Sequence, residues 1–123
     1  MGALSVIVRK GESSQWANIE RVYNIIRDME GGLAVADIVG LLDEPKLDAS
    51  IVSSIVSVLV LSKNAPVKSG RVVANGKHFD LQVTAPLPDA LYPDEDRTPS
   101  RKRKIANNFA WLDSLSRAEL LRI

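Results

Sequence analysis

Ala49 to Leu61, "ASIVSSIVSVLVL", runs for thirteen residues without a charge. Asp48 stands directly before it, and its carboxylate is suited to accept from an orphan backbone N–H at a helix start. Stepped at 100° per residue, Ser50, Ser53, Ser54 and Ser57 fall in a sector about 100° wide. Ile51, Val52, Ile55, Val56, Val58 and Leu59 cover the other side. Serine is an indifferent helix former, so its grouping on one face is not a propensity effect. The pattern predicts a helix with one aliphatic side to be covered and one face of small hydroxyls, which can both donate and accept hydrogen bonds.

The rest of the core must also be aliphatic. Of the 123 residues, 46% are apolar and only 5% aromatic. The length fits one domain with an appendage. The chain has no cysteine, which removes disulfide frameworks, thiolate metal sites and thiol nucleophiles and fits a reducing compartment. "ALSVIV" is too short for a secretory h-region, and Arg9 and Lys10 lie on its wrong side. The longest apolar stretch is far too short to span a bilayer. These features lead to an expectation of a cytoplasmic protein without a membrane partner.

Net charge is +1, but it is segregated. Between Glu12 and Asp48 stand eight acids and three bases; from Lys63 to His78 there are four bases (Lys63, Lys68, Arg71, Lys77) and no acid. Arg101, Lys102, Arg103 and Lys104 then form "RKRK". Segregated charge of this kind suits a polyanion.

Along the chain, residues 3–9 predict a short strand. Ser13 or Ser14 can cap a first helix, in which Trp16, Ile19, Val22, Tyr23, Ile26 and Met29 recur at helical spacing. "GG" at 31–32 ends it. A second helix covers Val35 to Leu42, with Val35, Ile38, Val39 and Leu42 inward, and "DEP" stops it because the residue before proline avoids helical geometry. After the serine-bearing helix, Asn75-Gly76 is a strong hairpin signal, since both residues tolerate the positive φ of a type I′ turn. A two-residue loop sets Val73 opposite His78, Val72 opposite Phe79 and Arg71 opposite Asp80. Residues 84–104, with four of the six prolines in 84–100 and the acids Asp94 to Asp96, read as an extended linker. In 105–123, Ile105, Phe109, Leu112 and Leu115 recur at helical spacing beside Trp111, and Ser116-x-x-Glu119 forms a capping-box pattern.

Helix, "GG", short helix, turn, N-capped helix, then a hairpin with an Asn-Gly tip: over residues 15–83 this order resembles the winged helix-turn-helix superfamily. "GGLAVADIVGLL…LDASIVSSIVSVLVLS" resembles its helix-turn-helix and "SGRVVANGKHFDL" its wing. The resemblance implies an α+β fold of three helices plus a β-hairpin wing, here over residues 1–83, with the linker and a C-terminal helical segment following. It implies a third helix that enters a DNA groove and a wing that touches phosphates. One departure is plain: Ala49 to Leu61 carries no Arg, Lys, Asn or Gln toward a base edge.

The candidate nucleic-acid contacts are therefore Ser50, Ser53, Ser54 and Ser57 on the helix; Lys63, Lys68, Arg71, Lys77 and His78 on or near the wing; and Arg101 to Lys104 as a basic arm. Hydroxyls contact phosphates and either kind of base edge but lack the two-pronged geometry by which arginine reads guanine. An equal case exists for the serines as a packed or solvated face. Arg71 is better read as a cross-strand partner of Asp80. The final segment reads as a helix packed on the core or on a second copy; in the second case Ile105, Phe109, Trp111, Leu112 and Leu115 are the candidate contacts, since two-fold pairing doubles a weak reading surface. His78 is the only histidine and lacks the company a zinc site needs; a Ser–His–Asp set has no oriented nucleophile. No phosphate loop or calcium-loop spacing occurs. The expectation is a small regulator of transcription or replication that binds double-stranded DNA, with neither catalysis, metal nor cofactor. The rival is a winged-helix module that binds protein and not nucleic acid; the absent arginine favours it.

Overall fold

The computed structural model describes residues 7–11, 15–29, 34–43, 47–72, 78–94, 105 and 107–112. The fold is α+β. Strand β1 (Val8–Arg9) precedes helices α1 (Trp16–Asp28), α2 (Val35–Leu42) and α3 (Ala49–Leu61); the hairpin strands β2 (Val67–Val72) and β3 (His78–Val83) and the short β4 (Ala90–Leu91) come after them. A fourth helix, α4, occupies residues 107–112. The described strands form two antiparallel pairs, β1 with β4 and β2 with β3.

Each helix forms where its sequence puts apolar residues on one side. Trp16, Ile19, Val22, Tyr23 and Ile26 of α1 are buried. Gln15 occupies the N-cap position without a side-chain cap bond; Ser13 and Ser14, the expected caps, lie outside the described residues. The helix ends at Asp28, before the glycine pair. Met29 is its C-cap and is 48% exposed, not inward as its spacing suggested. In α2, Val35, Ile38 and Leu42 are buried and Val39 is half-buried. Ala34 has no side-chain acceptor, so the Asp37 carboxylate closes the helix start by accepting from the Ala34 N–H at 2.9 Å. Asp43 ends α2 in the left-handed region at φ 47°, a conformation Asp tolerates better than most L-residues. Asp48 caps α3 as its sequence predicts, accepting from the Ile51 N–H at 3.0 Å.

Helix α3 is the axis of the molecule. It packs on α1, α2 and β2. Val52, Ile55, Val56, Val58 and Leu59 are all fully buried. With Ser54 at one margin and Val56 at the other, the covered arc spans about 200° of the helix, wider than a two-sided reading of the wheel allows. The reason is the number of elements that surround it.

The hairpin register differs from the expected one by a single residue. Val72 pairs with His78, Arg71 with Phe79, Ser69 with Leu81, Lys68 with Gln82 and Val67 with Val83. Five residues, 73–77, thus separate the strands, in place of a two-residue Asn-Gly loop; these five, Asn75 and Gly76 included, lie outside the described residues. A one-residue slip changes every partner. The residue across from Asp80 becomes Gly70, and Phe79 takes the place expected for Asp80 opposite Arg71. A Cβ at Gly70 would stand 3.1 Å from the Asp80 Cβ, so this close approach suits glycine. Asp80 itself bends the strand at φ 56°.

Residues 84–94, expected as part of a linker, are a strap bound across the domain. Thr84 and Ala85 N–H groups donate to the Pro66 carbonyl at 2.8 and 3.3 Å, and the Lys10 N–H to Asp89 O at 2.8 Å. The Tyr23 hydroxyl donates to Ala85 O at 2.8 Å. β4 pairs with β1, Val8 opposite Leu91, and both side chains are buried. The Lys63 N–H donates to Tyr92 O at 2.7 Å. The Asn64 amide holds two points at once, donating to Ala90 O at 2.9 Å and accepting from the Tyr92 N–H at 3.3 Å. Prolines 86, 88 and 93 suit such a path, because an extended segment bound through few N–H groups loses little by lacking some.

The C-terminal helix is likewise no appendage. Ile105, Phe109 and Leu112 are 2%, 0% and 0% exposed and belong to the same hydrophobic cluster as α1, α2 and α3. The described parts of 84–112 therefore share one core with residues 7–83.

Candidate functional site

The site expected from the sequence was the serine face of α3. Its four hydroxyls have different fates. Ser50 is exposed, Ser53 and Ser57 are half-buried, and Ser54 is buried at 5% exposure. Helix α4 is the cause. The Ser54 hydroxyl donates to Asn108 Oδ1 at 2.6 Å, and Asn108 Nδ2 donates back to the Ser54 carbonyl at 3.0 Å. Each bond contributes about 0.5–1.5 kcal/mol net, and a buried group left without its partner costs about 1–3 kcal/mol. Ser54 is thus committed to the protein's own interior, and its assignment as a nucleic-acid contact is corrected on that ground.

Asn108 was not singled out from the sequence, although a signal existed. Ile105, Phe109 and Leu112 define an inward stripe, and 108 is its i+3 slot, a position apolar in most core-facing helices. An amide in that slot implies a polar partner on the facing element. Ser54, the one buried serine of α3, supplies it.

Between the α3 start and α4 lies a hollow of about 420 Å³, lined by Val35, Ala49, Ser50, Ser53, Ser54, Asn108 and Trp111. None of these residues carries a charge. Trp111 is 41% exposed. Of the five residues expected to meet a second copy, Ile105, Phe109 and Leu112 are buried in the core and cannot do so, Leu115 lies outside the described residues, and Trp111 reaches the surface.

Lys63 and Lys68 are exposed. Lys68 and its partner Gln82 lie on the outer face of the hairpin with Gly70 and Asp80, while Val67 and Leu81 on the other face are buried. Arg71 and His78 are placed by backbone register alone, opposite Phe79 and Val72. Lys77 and Arg101 to Lys104 lie outside the described residues. A second hollow of about 360 Å³, absent from the sequence reading, opens beside the strap between Arg9, Lys10, Asn64, Asp89 and Tyr92; it mixes both signs of charge.

Among the described residues, no three of His, Cys, Asp or Glu come together as a metal-binding group, and no helix is long and apolar enough to cross a membrane. Comparison with protein-family models, curated proteins and solved structures finds no match to this chain.

Proposed function

We propose that this chain is a winged-helix-type interaction module whose partner is a protein, and that it performs no chemistry. The burial of Ser54 against Asn108 carries the reading. A helix that enters a DNA groove must present a continuous polar face; here α4 covers one margin of that face, and the remainder offers three hydroxyls and no cation. The winged-helix assignment draws support from the order α1, α2, α3, hairpin and from packing of β3 on α1 and β2 on α3. An uncharged, hollowed surface with an exposed tryptophan has the composition of protein interface centres, where aromatic residues are enriched and charges depleted.

One observation favours the second reading, a small DNA-binding regulator. Lys63 and Lys68 are both exposed, and phosphate contact needs no base-reading helix. A fluorescence-anisotropy titration with random duplex separates the two. The module reading expects no binding at about 50 mM salt. The DNA reading expects binding that falls with salt at a log–log slope of roughly −4 for about four phosphates, and its loss in Lys68→Glu. Such salt-dependent binding would end the protein-module reading.

A further inference from the structure

We propose that the strap, residues 84–94, is a clasp that opens as one unit while the three long helices, the hairpin and α4 stay folded. The inference stands apart from the interaction-module reading.

Among the described residues, two buried side-chain polar atoms have no hydrogen-bond partner in the protein, Trp16 Nε1 and Ser62 Oγ. Both residues lie against the strap. Trp16, 4% exposed, shares a hollow of about 120 Å³ with Leu87, Pro88 and Asp89. Ser62, 5% exposed, is bridged to Pro93. A buried polar group without a partner keeps its full desolvation cost, and water supplies the missing bond once the cover lifts. Closure of the strap therefore takes two polar groups out of water without replacing their bonds.

Little apolar surface opposes that cost. Within the strap Leu91 and Pro93 are buried, whereas Thr84, Ala85, Pro86, Asp89 and Tyr92 are exposed. Segments with few buried apolar contacts are those that open well below the free energy of global unfolding. The flanking elements are anchored on their own: Leu81 in β3 and Phe109 in α4 are fully buried. The strap can thus leave its seat with both ends held. Its release breaks the bonds from the Lys10 N–H to Asp89 O, from the Lys63 N–H to Tyr92 O and from the Tyr92 N–H to Asn64 Oδ1, and it parts β1 from β4.

Native-state hydrogen exchange of the full chain at rising urea tests the clasp. The Lys10, Lys63 and Tyr92 amides are expected to exchange through one shared opening, with a urea dependence well below that of the Val56 amide in α3, because the slope scales with the surface exposed. Ser62→Ala removes one unpaired hydroxyl and is expected to lower the open population about tenfold. Asn64→Ala acts in the other direction. Its side-chain bonds go to Ala90 and Tyr92, yet exchange is expected to rise by the same factor, about tenfold, at Lys10 and at Lys63. Separate openings for the three amides overturn the proposal, as does exchange of all three only together with Val56. An unaltered open population in Ser62→Ala, or an Asn64→Ala effect confined to Tyr92, overturns it equally. The module reading is untouched by these outcomes, since it falls only with salt-dependent duplex binding.

Discussion

The hairpin and the strap are neighbours in sequence and opposites in construction. The hairpin, β2 with β3, draws most of its hydrogen bonds from itself, and its sequence announces it through alternating residues and an Asn-Gly pair. The strap, residues 84–94, has no periodic pattern, and it is bound by the α3–β2 turn, β1, Pro66 and Tyr23. The first was legible and was placed one residue out of register. The second was invisible and reads as a linker, because its partners lie far away in the chain. Local signals report that an element forms; hydrogen bonds to distant elements decide where a segment lies.

The largest test asks whether α4, on the far side of the strap, is core or appendage. Phe109→Ala empties a fully buried site and is expected to cost about 3–5 kcal/mol, read as a lower urea midpoint. An appended tail would give no change. Next, Leu91→Ala in the strap and Leu81→Ala in the hairpin remove side chains of equal burial. Each is expected to cost about 2–5 kcal/mol. A near-zero value for Leu91 alone would restore the linker reading.

Asn64→Ala sharpens the comparison. It deletes both side-chain bonds that clip the strap and is expected to cost about 1–2 kcal/mol. Hydrogen exchange should accelerate at the Tyr92 amide while the Leu81 amide stays protected. Asp80→Gly relieves a left-handed residue in β3 and is expected to stabilise by about 0.5–1 kcal/mol, seen as a small rise in Tm. Lys68→Glu is the smallest change. The residue is exposed, so stability should move by less than about 0.5 kcal/mol, which keeps that variant usable as a binding probe.

Parts of the candidate site were legible for similar reasons. Asp48 as the α3 cap and the aliphatic side of α3 come from local chemistry. The division of the serines does not. Ser50 and Ser54 differ by only about 40° on the wheel, yet one is exposed and the other buried. No property of α3 separates them; α4, more than fifty residues later, does. Trp111 and Phe109 show the same split within one short helix. Both belong to a stretch read as packed on the core or on a second copy, and the two-residue step between them sends one ring inward and the other to the edge of the hollow.

By itself the sequence determined the helices, the hairpin and their order, because caps, helical spacing and alternation act through neighbours a few residues apart. It also determined that the aliphatic side of α3 would be covered, since such a face does not stay in water. Tertiary structure alone decided the hairpin register, the binding of the strap and the covering of Ser54. Each of these depends on contacts across long stretches of chain, where the free energy comes from a partner whose position local sequence does not encode.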